Sequence, residues 1–180
     1  MHRCKWVNIN NPVYVSYHDN EWGKPLYDDH GLFELLILES FQAGLSWECV
    51  LNKREAFRKA FDNFDYKKIS MYDENKIEEL RNNKDIIRNR LKIESTIKNA
   101  KVFMDIQKEF GSFKDYIWGF NNGEIIKNID DNFKTTSELS DCISKDLYKR
   151  GMKFVGSTII YSYLQAMGMI NDHELKCDFK

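Results

Sequence analysis

The stretch Leu38-Glu39-Ser40-Phe41-Gln42-Ala43-Gly44-Leu45-Ser46-Trp47 sets a carboxylate at the end of the most apolar run in the chain, Phe33 to Leu38. An ionised carboxylate is costly to bury unless a positive or hydrogen-bonding group meets it. Glu39, beside an aromatic at a helix elbow, therefore has the makings of a grip on a flat, electron-poor ligand. A surface glutamate at a helix turn would read the same way on residue type alone. Four metal-ligand types stand at the two ends of the chain: Cys4 and His18, then His173 and Cys177. The i, i+4 spacing puts His173 and Cys177 on one side of a helical turn. One thiolate and one imidazole from each end make a closed Cys₂His₂ tetrahedron, and zinc held that way is structural because no position stays open. Two buried thiols and two surface histidines fit the same spacing, with His2, His30, Cys49 and Cys142 as competitors.

A third constellation, Lys149-Arg150-Gly151-Met152-Lys153-Phe154-Val155-Gly156-Ser157-Thr158, reads as helix, tight hairpin, helix. Gly151 suits a left-handed helix end, and Gly156 permits close approach of the backbone. The N–H groups around Val155 to Thr158, with the charge of Lys153, then form an anion site at a helix N-terminus. This resembles a helix-hairpin-helix element, which holds a DNA phosphate without reading sequence. An ordinary αα-hairpin with a glycine cap uses the same residues.

The elements that must position these groups are mostly helical. Two prolines and nine glycines in 180 residues favour helices over a sandwich or barrel. The expectation is an all-α single domain over residues 1–180, with helices at 29–43, 46–61, 73–82, 84–109, 112–120, 138–149 and 155–168. Ser46 caps the second of these. The first 28 residues read as irregular and aromatic-rich, with Asn8, Asn10, Asn11 and Pro12 breaking any pattern. Residues 124–136 fit a short strand pair or a loop equally. No apolar run reaches membrane length, and Met-His-Arg-Cys-Lys-Trp is no signal peptide, so a cytoplasmic protein is expected. In that compartment four cysteines point to free thiols or metal ligands before disulfides. The net charge of −1 offers no global affinity for nucleic acid. Arg81 to Lys101 and Lys145 to Lys153 are locally basic and would make one positive face.

Taken together, the sequence resembles the bacterial constitutive (type I) 3-methyladenine-DNA glycosylases of the helix-hairpin-helix glycosylase superfamily. The likeness rests on Arg3-Cys4-Lys5-Trp6, Tyr17-His18-Asp19-Asn20-Glu21-Trp22-Gly23, the elbow Gln42 to Trp47, Ile86-Ile87-Arg88-Asn89-Arg90, Lys149 to Gly156, and Asn171-Asp172-His173. It implies a helix-hairpin-helix glycosylase fold whose N- and C-terminal lobe is stapled by structural zinc on Cys4, His18, His173 and Cys177. It implies Glu39 as the catalytic carboxylate of a base pocket walled by Tyr14, Tyr17, Trp22 and Trp47 and closed by Trp6. Gln42, Gly44 and Leu45 would fill the gap left in the duplex. The hairpin, with Lys149, Gly151, Lys153, Gly156, Ser157 and Thr158, would hold the backbone.

The implied reaction is monofunctional: water hydrolyses the N-glycosidic bond of 3-methyladenine in alkylated double-stranded DNA. Free base is the product and an abasic site remains, the first step of base excision repair. Many hairpin glycosylases carry an aspartate shortly after the second helix begins. Residues 159–171 contain none, and Asp172 lies beside His173. The short tail after Cys177 implies fraying at that end of the zinc site. A monomer is expected. The competing reading is a non-catalytic, zinc-stabilised module that binds damaged DNA.

Overall fold

The computed structural model describes residues 1–180 apart from Asp131 and Phe133. The central element is α2 (Asp29–Gln42), in which every residue from Leu32 to Phe41 is buried. A helix that is apolar all round must be enclosed, and α2 is, by α7 (Arg90–Phe110), α8 (Phe113–Gly119) and α10 (Ser157–Ala166). Asp28 caps the start of α2 by accepting from Gly31 N. Asp29 then accepts from the Phe113 and Lys114 amides, so the start of α2 also caps α8.

Around this core run α1 (Pro12–Asn20), α3 (Trp47–Leu51), α4 (Arg54–Ala60), a 3₁₀ turn at Asp62–Phe64, α5 (Tyr66–Ile69), α6 (Glu74–Asn82) and α9 (Glu138–Arg150). Two short strands, β1 (Ile126–Lys127) and β2 (Ile170–Asn171), pair in parallel. The fold is thus mainly helical, and residues 124–136 contribute one strand of a small sheet; Asp131 and Phe133 of that segment lie outside the described residues. A smaller apolar cluster gathers Cys4, Val7, Tyr14, Tyr17, Trp22 and Cys177 from the two ends of the chain with Leu51 of α3. Trp47 packs against both clusters, and the cavity described below opens at that junction.

Four local expectations are corrected. The first 28 residues contain α1, because Asn11 accepts from the Val13 and Tyr14 amides and Pro12 sits at the first helical position. The residues read as breakers are therefore a start signal. The expected 46–61 helix divides at Asn52 and Lys53 into α3 and α4. The long helix begins at Arg90, not 84, because Asn89 caps it through Lys92 N. The Asp62–Ile69 region carries a 3₁₀ turn and α5 where the sequence suggests no element; Asp65 caps α5 by accepting from Lys67 N and Lys68 N.

Candidate active site and metal cluster

The elbow after α2 is a tight turn. Leu45 N donates to Gln42 O at 2.6 Å, with Ala43 at φ −47°, ψ 112° and Gly44 at φ +79°. These are the angles of a type II turn, whose third position needs a positive φ and so a glycine. Gly44 and Leu45 are exposed, and an added Cβ on Gly44 would meet no atom of the chain within 4 Å. Ser46 then caps α3 by accepting from Cys49 N.

One turn of helix before the elbow, Glu39 lines a cavity of about 150 Å³ together with Trp6, Tyr14, Tyr17, Trp22, Gln42, Trp47, Ser162 and Gln165. That volume suits a single aromatic ring system. The structure brings all the expected pocket aromatics into this one lining. Trp6 packs edge-on against Trp22 at 4.9 Å between centroids, and Tyr17 lies tilted against Trp47 at 5.3 Å. Glu39 is the single charged residue among those lining the cavity, and the lining holds no Lys, Arg or His. Burial holds its carboxyl well above the usual carboxylate range. Among the described residues, Glu39 Oε2 and Trp47 Nε1 have no hydrogen-bond partner in the chain. An unpaired acceptor and an unpaired donor, both buried, are costly unless a ligand pairs with them. Burial likewise raises the Tyr17 phenol well above its usual value and Tyr14 to about 12, so both rings stay neutral.

Ser162 and Gln165 are wall residues that sequence reasoning missed. Both lie on α10, and Gln165 Nε2 donates to Asp172 Oδ2 at 2.7 Å, where Tyr161 OH also donates at 2.6 Å. The periodicity of α10 marks a helix but does not say which side meets the cavity.

Cys4, His18, His173 and Cys177 are all buried, with ligand atoms within 4.8 Å of one another. Cys4 Sγ lies 3.4 Å from His173 Nδ1, and Cys177 Sγ lies 3.3 Å from the same nitrogen and 3.5 Å from His18 Nε2. Tetrahedral zinc, at its ordinary bond lengths to sulfur and nitrogen, separates such atoms by about 3.5 Å. The second ring nitrogens are also engaged: His18 Nδ1 with Asp19 Oδ1 at 2.7 Å, His173 Nε2 with Trp22 O at 3.1 Å. Arg3 in turn holds Asp19 at 2.7 Å. Such outer partners fix the tautomer and ring orientation of metal-ligating histidines. Burial lowers His173 to about 4, keeping its imidazole neutral, and pushes the Cys4 thiol up to about 12. This group could hold a metal ion, and two thiols with two imidazoles suit a borderline-soft cation. The 173–177 spacing closes through a turn, with Cys177 N donating to Glu174 O, and not through a helix. The tail does not hang free either, since His2 and Asp178 exchange two hydrogen bonds.

In the hairpin, Gly151 ends α9 in the left-handed conformation at φ +105°. Its amide returns to Leu147 and Tyr148, and Lys153 N donates to Asn99 Oδ1 at 2.8 Å, so neither amide is open to a ligand. The open groups lie further on. Gly156, exposed, caps α10 with no side-chain bond, and the first N–H groups of the helix, from Ser157 and Thr158, have no intrahelical acceptor. An added Cβ on Gly156 would meet nothing of the chain within 4 Å, so the glycine is not required by internal packing. Lys149 and Lys153 are exposed nearby, while Ser157 Oγ pairs with Ser140 Oγ at 2.9 Å. The expected positive face is thinner than its charge count: Arg81, Arg90 and Arg150 are paired with carboxylates and Lys92 is buried.

Comparison with known proteins gives a consistent picture. The methyladenine glycosylase family profile matches residues 6–180. The chain is 43% identical to the DNA-3-methyladenine glycosylase of Haemophilus influenzae, over 99% of this chain and 97% of that one. A crystal structure of 3-methyladenine DNA glycosylase I superposes with a TM-score of 0.95 at 43% identity, covering 98% of each chain. A single-residue variant of 3-methyladenine DNA glycosylase I, solved in complex with 3-methyladenine, superposes with a TM-score of 0.95 at 34% identity, covering 100% of this chain and 98% of that one.

Proposed function

The chain belongs to the methyladenine glycosylase family, and we propose that the cavity around Glu39 is the pocket in which its substrate base is held. The protein is a DNA-3-methyladenine glycosylase, an N-glycosyl hydrolase of DNA repair. The observation that carries the pocket assignment is its lining: one buried carboxylate, five aromatic rings and no basic side chain.

Methylation at N3 leaves adenine cationic and its bond to the sugar weakened. A cationic ring is attracted to electron-rich aromatic faces, and a damaged base is cheaper to extrude from the stack. Glu39 Oε2 accepts from the exocyclic amine, and Trp47 Nε1 donates to a neighbouring ring nitrogen, so each unpaired atom finds its complement. Arrival of the cation also favours the ionised form of Glu39, which burial alone disfavours. Water then attacks the sugar C1′, the C1′–N9 bond breaks, and its electron pair neutralises the ring. The water loses a proton and an abasic site remains. With so good a leaving group, Glu39 acts by selecting and holding the base and need not supply a nucleophile.

Gln42 and Leu45, on the exposed turn, occupy the gap in the duplex. The open amides of Gly156, Ser157 and Thr158, with Lys149 and Lys153, take a backbone phosphate. Cys4, His18, His173 and Cys177 would hold a zinc ion whose closed coordination makes its contribution structural. The ligand distances and the engaged outer nitrogens support that reading.

The test is chromatography of bases released from dimethyl-sulfate-treated duplex DNA. Free 3-methyladenine without strand cleavage is expected. Glu39→Gln should abolish most release while affinity for an abasic duplex persists; equal loss of both would refute the pocket assignment. A folded, metal-loaded protein that releases nothing would leave the damage-binding module as the better reading.

A further inference from the structure

Lys92 is the third residue of α7 and is buried, 7% exposed, with no carboxylate paired to it among the described residues. Its ammonium instead donates to two backbone carbonyls, Phe41 O at 2.7 Å and Ala43 O at 2.6 Å. One of those carbonyls precedes the turn of residues 42–45 and the other lies within it, at the C-terminal end of α2, where carbonyls lack helical partners and a cation is favoured. The same ammonium lies 5.9 Å from the centroid of Phe154, in the hairpin. Seven residues along the same helix, Asn99 is fully buried and clasps the hairpin backbone twice: its Nδ2 donates to Lys153 O at 2.9 Å and its Oδ1 accepts from Lys153 N at 2.8 Å. Positions i and i+7 share a helix face and stand about 10 Å apart along the axis. One face of α7 therefore carries both the elbow turn and the hairpin.

We propose that Lys92 is a positioning residue for the glycosylase reaction, locking the 42–45 turn in register with the hairpin of residues 151–156. A duplex held by the hairpin amides then meets Gln42 and Leu45 at a set separation, so that backbone grip is coupled to base extrusion. The proposal rests on the reading of these two segments as the DNA-contacting ones. Lys92 touches neither the cavity nor the reacting atoms, and its effect is confined to the step that brings the base out of the stack.

The experiment compares wild type, Lys92→Met and Lys92→Arg in two measurements. One is the single-turnover rate of 3-methyladenine release from dimethyl-sulfate-treated duplex DNA. The other is affinity for free 3-methyladenine, followed by tryptophan fluorescence. Lys92→Met, which keeps the stem and removes the donors, should slow release about tenfold or more while free-base affinity stays within about twofold. Lys92→Arg should recover most of the rate. In a Leu45→Ala background the Lys92→Met effect should largely vanish, because both act on one step. A fall in free-base affinity, or full additivity with Leu45→Ala, would overturn the proposal. If Lys92→Met does not fold, Lys92→Gln, whose amide stops short of the ammonium position, should slow release by a smaller factor with free-base affinity still within about twofold. Failure of wild type to release any base would instead strike the functional reading beneath it.

Discussion

The Nε2 of His173 lies 3.1 Å from the carbonyl oxygen of Trp22, whose ring is part of the cavity wall. The candidate metal cluster and the proposed base pocket therefore share a strut. The rings agree: Trp22 packs edge-on against His173 at 4.6 Å and faces His18 at 6.2 Å. Removing the ion from the proposed zinc site should thus be felt in the pocket. Cys177→Ala is expected to lose the metal, since three ligands seldom make a stable structural site. Affinity for free 3-methyladenine should fall by about tenfold or more as the Trp22 wall loosens. Metal content by atomic emission and base affinity by fluorescence check the two halves. Unchanged affinity in a metal-free protein would separate the cluster from the pocket.

Glu39 predicts a pH-dependent stability difference. Burial raises its carboxyl well above the ordinary value, so the folded protein holds this proton more tightly than the unfolded chain. The linked stability is fully present below the ordinary carboxylate pKa and is lost as pH rises through the raised one. Glu39→Gln has no such proton. Its unfolding free energy relative to wild type should therefore climb with pH by about 1.4 kcal/mol per unit across that window, then level off. Urea melts of both proteins across the acid-to-neutral range test this. A difference independent of pH would mean that Glu39 finds a partner in solution that compensates its burial.

Much of the site is readable from residue types. A carboxylate closing the most apolar run is conspicuous, and two thiol–imidazole pairs at opposite chain ends suggest a shared ion. What escapes depends on tertiary placement. Lys92 looks like one more cation in a basic run, and only the docking of α7 on the end of α2 turns it inward. Ser162 and Gln165 sit in a helix whose spacing marks a helix without marking its cavity side. Asn11 and Pro12 read as breakers because the same residues serve turns and helix starts; the chain that follows decides between them. Gly151 is legible as a cap, yet the use of the Lys153 amide by Asn99, distant in sequence, is not.

Gly168 is the glycine with least room. At φ +76°, an added Cβ would sit 2.1 Å from the Lys24 carbonyl carbon and 2.3 Å from its oxygen. Strand-like bonds bind this region to the segment after Trp22, Gly23 N donating to Gln165 O and Leu26 N to Met167 O, each at 3.0 Å. Gly168→Ala combines a left-handed backbone with a clash against main chain, and should cost about 3 kcal/mol or more. Since Trp22 and Gln165 border the strained segment, base affinity should fall even where the protein remains folded. Denaturant melts and fluorescence titration measure both effects, and a near-neutral variant would require the 23–26 segment to move freely.

With a net charge of −1 and many arginines already paired, affinity for DNA must depend on a few exposed cations and open amides, and so on salt. Lys153 is exposed beside the α10 terminus, its ammonium 5.1 Å from the Tyr148 ring centroid. Reversing its charge with Lys153→Glu should weaken binding to undamaged and abasic duplex alike, because a phosphate contact carries no sequence information. The slope of log affinity against log salt should shrink by about one, the share of a single phosphate that no longer meets a cation. Affinity for free 3-methyladenine should change little, since Lys153 lies outside the cavity. Fluorescence anisotropy at several salt concentrations separates these effects. An unchanged slope would place the phosphate elsewhere than the hairpin and move the DNA path away from α10.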